Sequence, residues 1–500
     1  MDNEQRIRRK IGQVVFCGFD SYEYNSELDE LINKYYLGNI IYFTRNYKNP
    51  SQMITLNKTI YNKIIDKCGI IPLCAIDQEG GNVTRLMNDV SFPPSPLSSA
   101  KTNVENARYE VGKIIAYDMI SLGFNLNLAP CLDINNEDSY YTNIRMYSKD
   151  PYEVAKMTKE FINGLSEYGV LACMKHFPGC GEGVKDTHFN KSIISRDINQ
   201  LRKHELIPFV ENINTACLMT SHSIYDKIDD KPATLSNIIL QDILRKEMGY
   251  QGIVITDALE MKAISDYYGA VESSLLALNA GADMILCCHD RNIQVQTFEY
   301  LYNKVLDGSL KESDLDIKIE RIKKYKLQLI PYLDKYFFNK DIYERNIDND
   351  KICYEIVRNA YKIYKGDIPN TTKDTLFIAP ELYAINGAED VFDERSLPQS
   401  LKKCFNNDVL ILDDKEETKE YILSNLYKYK QVVAFSYNIN ISKTNLSIIN
   451  EVNNHINTYV ISMKGEMDIN LYDNLKNYIV MYEYTPNSIK AIVDLLKHKK

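Results

Sequence analysis

The sequence predicts an α/β protein: an N-terminal TIM-type (β/α)8 barrel followed by a C-terminal α/β sandwich domain. Three observations lead there. Eight short apolar runs alternate with longer amphipathic stretches before residue 335, the pattern of repeated strand–helix units. Asp77, Lys175, His176, His222 and Asp257 each stand at or just beyond the end of such a run, and the carboxyl ends of barrel strands converge on one catalytic mouth. A second, shorter series of β-rich runs follows a charged connector.

In order, the expected barrel strands are Gln13–Phe19, Asn39–Phe43, Pro72–Asp77, Asn125–Asp133, Leu171–Phe177, Cys217–His222, Gly252–Asp257 and Ala282–Cys287. Their spacings leave room for a helix and loops between most neighbours. Asn106–Leu122 and Pro151–Tyr168 read as helices, the second with proline in its first turn, where its missing N–H costs nothing. A doubly wound open sheet is the structural alternative to the barrel. From Leu310 the chain is charged and helix-like, and its basic run Lys318–Lys326 is expected to be a solvated face. Beyond it, Thr375–Ala379, Val409–Leu412, Val432–Ser436, Tyr459–Met463 and Ile479–Tyr482 read as strands, with helices at Glu416–Lys428 and Ser488–Leu496. The expected division is a catalytic barrel at 1–335, a connector at 336–365 and the sandwich domain at 366–500.

Composition narrows the function. The 59 basic against 68 acidic residues leave a net charge of −9, which argues against nucleic acid as a partner. No run approaches the roughly 18 apolar residues of a membrane helix, and the charged start Met1–Lys10 is not followed by the apolar stretch of a signal peptide. A cytoplasmic location without membrane contact is expected. The eleven cysteines fit a reducing compartment: most stand alone in apolar runs (Cys17, Cys74, Cys131, Cys173, Cys217), where a thiol packs as a small hydrophobe. No C-x-x-C pair occurs, so no metal site is expected. Tryptophan is absent, so any aromatic platform must come from tyrosine or phenylalanine.

The densest chemistry lies in Lys175–His188. A strand gives way to a loop with Gly179, Gly181 and Gly183 and ends in Asp186-Thr187-His188. An aspartate two residues from a histidine can hold its Nδ1–H and leave Nε2 to exchange a proton near neutrality. An ordinary surface loop is the plainer reading. Asp257, within Val254–Met261, suits a carboxylate nucleophile at a barrel mouth and equally a cap for the following helix; Glu260 suits capping or packing. Asp77-Gln78-Glu79-Gly80-Gly81-Asn82-Val83-Thr84-Arg85 could present acceptors and donors to vicinal hydroxyls, or simply form an Asp–Arg pair. His222 could line the same mouth or be a satisfied buried histidine.

These segments resemble the family-3 glycoside hydrolases, in particular their β-N-acetylhexosaminidase branch of bacterial cell-wall recycling. The resemblance rests on Asp77–Arg85, Asn127-Leu128-Ala129-Pro130 with Asp133, Lys175–Gly179, Asp186-Thr187-His188, Pro232–Ser236, Val254–Met261 and Asn279–Asp283, in matching order and spacing. It spans the first domain; the second resembles, more loosely, the sandwich that follows the barrel in longer members. It implies a retaining exo-β-N-acetylglucosaminidase that forms a covalent glycosyl-aspartate, with Asp257 as nucleophile and His188 as acid/base oriented by Asp186. Asp77, Arg85, Arg145, Lys175 and His176 would hold the sugar, with His222 beside them. No metal and no organic cofactor are implied, and the partner would be a small glycoside or a muropeptide fragment of the cell wall. Where this branch usually reads His-Gly-Asp-Thr after Pro-Gly, the chain has Cys180-Gly181-Glu182-Gly183. An imidazole acid/base also tolerates an anionic acceptor, which keeps a β-N-acetylglucosaminide phosphorylase open; a non-catalytic glycan-binding paralogue is the other alternative.

Overall fold

A computed structural model describes residues 2–135, 143–179, 192–381 and 396–497. Eight parallel strands close into a barrel: β1 (Val15–Cys17), β2 (Asn39–Tyr42), β3 (Leu73–Ile76), β4 (Leu126–Asn127), β5 (Leu171–Phe177), β6 (Cys217–Thr220), β7 (Ile253–Ala258) and β8 (Met284–Cys287). β1 pairs with β2 on one side and β8 on the other, so the sheet has no edge and the open-sheet alternative falls away. All eight expected strands are present, most of them shorter than the runs that announced them. The run Gln13–Phe19 loses its first residue to the helix Asn3–Gln13.

The expected strand at Asn125–Asp133 shrinks most. Pro130 has no N–H for the ladder, and only Leu126–Asn127 is regular strand. Side chains replace the missing bonds. Asn125 Oδ1 accepts from Cys74 N at 2.8 Å, and Asn127 Nδ2 donates to Gln78 O at 2.9 Å while its Oδ1 accepts from Gln78 N at 3.0 Å. Toward β5 the irregular segment is bonded through Cys173 N to Ala129 O at 2.9 Å and Leu132 N to Lys175 O at 2.6 Å.

The helices Ala107–Ser121 and Pro151–Ser166 form where expected. Asp150 caps the second, accepting from Tyr152 N and Glu153 N at 2.8 and 3.0 Å. The basic run departs from expectation. Within the helix Glu312–Leu333, Lys318 and Lys326 are buried: Lys318 Nζ donates to Ala282 O at 2.7 Å, and Lys326 Nζ to Gln13 Oε1 and Gly38 O at 2.9 and 3.0 Å. They satisfy carbonyls at the amino-terminal end of the barrel instead of facing water, and burial pushes Lys326 down to about 7.

The second domain is a six-stranded mixed sheet of β9 (Lys362–Lys365), β10 (Thr375–Pro380), β11 (Val409–Leu412), β12 (Gln431–Ser436), β13 (Asn457–Ser462) and β14 (Asn477–Val480), ordered β9-β14-β13-β12-β10-β11. Only β9 runs antiparallel, and it falls within the segment expected as connector. The domains meet through Leu97 and Ile144, which pack into an apolar cluster with Ile378 and Val432, and through Ser95 N, which donates to Glu483 Oε2 at 2.8 Å.

Asp118, buried on the helix Ala107–Ser121, accepts from Tyr343 OH at 2.6 Å and Ser91 N at 3.1 Å. Burial outweighs these bonds and raises it from the ordinary 3.8 to about 7. Between those values the unfolded chain has shed a proton that the fold retains, so stability falls as pH rises through the window, by up to about 1.4 kcal/mol per pH unit. In urea titrations Asp118→Asn is expected to gain on the unsubstituted protein steadily between these limits; a pH-independent difference would contradict this assignment.

Candidate active site

The mouth is assembled from strand ends. β3 delivers Asp77, after which Gln78–Gly80 and Val83–Thr84 pair as a hairpin around Gly81-Asn82. Gly80 and Gly81 have φ of 100° and 60°, and a Cβ on Gly80 would lie 2.1 Å from Pro94 O, so the turn requires glycine twice. β5 delivers Lys175 and His176, joined by a cis peptide. Arg145 comes from the short turn Asn143–Arg145 and Asp257 from the end of β7.

These side chains form a charge network. Lys175 Nζ lies 2.7 Å from both Asp77 Oδ1 and Glu79 Oε1. Arg145 grips Glu79 with both ends of its fork, Nε to Oε2 at 2.9 Å and Nη2 to Oε1 at 2.7 Å, and Arg85 Nη2 stands 3.9 Å from Asp77 Oδ2. Burial alone would neutralise Glu79, but Arg145 and Lys175 overcome it and hold the carboxyl far below its ordinary range. Burial likewise opposes charge on Lys175, and Asp77 and Glu79 reverse that and raise it. Glu79, Lys175 and Arg145 therefore keep their charges in a nearly dry place. His176 Nδ1 lies 2.7 Å from Asp133 Oδ2, and Cys131 Sγ donates to that same oxygen at 3.2 Å.

Asp257 lines the same cavity as Lys175 and His176. Its Oδ1 accepts from Ala258 N at 2.8 Å, and the cavity, of about 610 Å³, is shared with Asp77, Arg85, Arg145, Lys175 and His176. His222 is a correction: expected on that wall, it is 1% exposed and absent from the lining. Its Nε2 donates to Ala258 O at 2.9 Å and its Nδ1 meets Thr234 Oγ1 at 2.8 Å, so it braces the end of β7 from beneath. Glu260 accepts from Cys288 N, His289 N and Asp290 N at 2.5, 2.8 and 3.0 Å, which clamps the loop after β8. Asp186 and His188 lie outside the described residues.

Sequence reasoning missed several of these roles. Glu79 is the hub of the network; its place two residues after Asp77 on an extended segment, hence on the same face, was the available signal. Phe43, Arg45 and His289 also line the cavity, with Arg45 4.4 Å above the Phe43 ring and His289 4.7 Å from it. Phe43 and His289 follow the ends of β2 and β8, so strand-end position pointed to them as well. Cys131, Asp133 and His176, none of them singled out by the sequence as a ligand set, bring ligand atoms within 4.8 Å of one another.

A family model described as the glycosyl hydrolase family 3 N-terminal domain matches residues 6–325. The chain belongs to glycosyl hydrolase family 3. Among its family-3 relatives, a protein from Pseudoalteromonas piscicida named beta-hexosaminidase A is 32% identical over 330 residues, 61% of this chain and 55% of that protein, so the chain spans about half of that relative's length. A beta-hexosaminidase from Photobacterium profundum is 32% identical over 56% of this chain and 83% of its own length. A solved structure of a family-3 beta-N-acetylglucosaminidase from Paenibacillus sp. str. FPU-7 superposes with a TM-score of 0.91 at 29% identity, covering 98% of this chain and 96% of that one.

Removing the hub of this network should be costly. Glu79→Gln leaves Lys175 and Arg145 without their shared counter-charge, and a loss of about 3–5 kcal/mol is expected. Urea unfolding measures it; a loss under about 1 kcal/mol would mean that the cations are stabilised by other groups.

Proposed function

We propose that the protein is a retaining exo-β-N-acetylglucosaminidase that removes a terminal β-linked amino sugar. The observation that carries this reading is the placement of Asp257, which lines the same cavity as Asp77, Lys175 and Arg145, three members of the network centred on buried Glu79. A cavity of about 610 Å³ suits one sugar with part of its leaving group. Lys175, Arg145 and Arg85 supply donors and Asp77 an acceptor for ring hydroxyls, and the ionised network holds them in place before substrate arrives. Asp257 attacks the anomeric carbon while His188, oriented by Asp186, protonates the glycosidic oxygen. His188 then deprotonates the water that cleaves the glycosyl-aspartate, and configuration is retained.

The names of the relatives supply the amino-sugar half of this proposal, and the resemblance supplies the rest: a muropeptide fragment of the cell wall as natural substrate and a cytoplasmic site of action. No helix among the described residues is long and apolar enough to cross a membrane. The domain division at 1–335, 336–365 and 366–500 belongs to the same proposal, with catalysis in the first.

Turnover of aryl N-acetylglucosaminide is expected to exceed that of the glucosaminide, glucoside and xyloside. The first product seen by NMR is expected to be the β-anomer, and Asp257→Ala should lower kcat on the order of 10⁴-fold while sugar binding persists. An α-anomer would exclude the covalent route. Release of sugar only in the presence of phosphate would establish a phosphorylase, and equal inactivity of both proteins with binding intact would establish a non-catalytic glycan binder.

A further inference from the structure

We propose that Cys131, Asp133 and His176 form a thiolate–carboxylate–imidazole site for a borderline-soft divalent cation such as Zn²⁺, and that its occupation blocks sugar binding. The second half rests on the proposed hydrolase reading; the first does not.

The three residues are held together by backbone, not by chance side-chain positions. Cys131 forms an isolated parallel bridge with Lys175, Leu132 N donates to Lys175 O at 2.6 Å, and His176 N approaches Asp133 Oδ1 at 3.4 Å. Asp133 Oδ2 is the focus: His176 Nδ1 lies 2.7 Å away and Cys131 Sγ 3.2 Å away, and all three ligand atoms fall within 4.8 Å of one another. A tetrahedral ion with bonds of about 2.0–2.3 Å needs donors roughly 3.3–3.7 Å apart, so the two contacts at Asp133 Oδ2 would open around it, while a ligand pair as far apart as 4.8 Å would close by roughly an ångström. The donor set is selective. One sulfur, one nitrogen and one oxygen suit Zn²⁺, Co²⁺ or Cd²⁺, whereas Mg²⁺ and Ca²⁺ would reject the sulfur.

Access comes through His176, which lines the cavity while Cys131 and Asp133 are 2% and 1% exposed behind it. Three protein ligands leave a fourth position for water, as in open metal sites. The proton balance is simple. The Cys131 thiol releases one proton to solvent, the His176 proton moves from Nδ1 to Nε2, and the Asp133 carboxylate binds without change. Thiolate and carboxylate together neutralise the dication: the site carries the single negative charge of Asp133 before binding and none after it, one proton having left for solvent. Once held through Nδ1, His176 can no longer adjust to a sugar, and the ion adds a bound water at the cavity wall.

The test uses the full-length protein, freed of metal by chelator. Titration with Co²⁺ is expected to saturate at one equivalent with a thiolate-to-cobalt charge-transfer band in the near ultraviolet, and Zn²⁺ should displace it. Cys131→Ser and Asp133→Asn should each weaken binding by about ten-fold or more, with the band abolished in the first. Cys404→Ser and Cys180→Ser should leave it intact. X-ray absorption of the zinc complex of the unsubstituted protein, which needs no variant to fold, should show one sulfur at about 2.3 Å with nitrogen or oxygen neighbours. A sulfur-free shell, loss of the band in Cys180→Ser or Cys404→Ser, or no saturable binding overturns the site. In the hydrolysis assay Zn²⁺ should inhibit the unsubstituted protein and lose that effect in Cys131→Ser. Unaltered turnover at spectroscopic saturation overturns the blocking half alone. Absence of turnover in metal-free buffer counts against the hydrolase reading and leaves the metal site to its own spectra.

Discussion

The mouth of this barrel depends on one buried carboxylate. Glu79 sits between Lys175 and Arg145 with every close contact at 2.7–2.9 Å; with Asp77 it offsets the burial that opposes charge on Lys175, and it gives the buried Arg145 guanidinium its counter-charge. Without it, Lys175 would keep only Asp77 among the described residues, and Arg145 would lose its bidentate partner. A carboxylate gripped at both oxygens has little freedom to turn, so the network is rigid as well as ionised. That rigidity matters for any polar ligand, because donors already in position cost nothing to organise when it binds.

Around this core the mouth is braced by groups whose hydrogen bonds go to the scaffold: His222, behind the lining, and Glu260, which is part of it. His222 ties β6 to β7 through the carbonyl of Ala258, beside Asp257. Glu260 gathers three amides of the loop after β8 and so fixes His289 at the rim. Both carry the chemistry of catalytic residues and are occupied in holding the scaffold. Titratable side chains cluster at a barrel mouth partly because strand ends need such partners for their unpaired backbone groups.

The second domain reaches the same hairpin that carries Glu79. Asn82, in its two-residue turn, donates to Tyr437 OH at 2.9 Å, and the chain that follows it meets Tyr482 and Glu483 through Ser95. Lys464, in the Lys464-Gly465-Glu466 turn, points into the second domain and donates to Asn438 Oδ1 at 2.6 Å. The sandwich therefore supports the hairpin through hydrogen bonds and the apolar packing of Leu97 and Ile144.

Periodicity and position alone determined a great deal. All eight barrel strands, the helices at Ala107–Ser121 and Pro151–Ser166 and five of the six sandwich strands were legible, because buried strands demand apolar runs and helices demand caps and amphipathic spacing, and both are local in sequence. β9 was missed because an exposed edge strand, Lys362–Lys365, has no apolar run to announce it. Strand-end logic found Asp77, Lys175, His176 and Asp257 for the same local reason. What only the tertiary structure decided is which polar groups meet: that Glu79 and not Asp77 is the hub, that Lys318 and Lys326 turn inward, that His222 lies under the wall, and that Cys131 shares an oxygen with His176. Each depends on residues tens to hundreds of positions apart arriving within 3 to 4 Å, and the pattern along a single strand or helix carries no record of what will be packed against it.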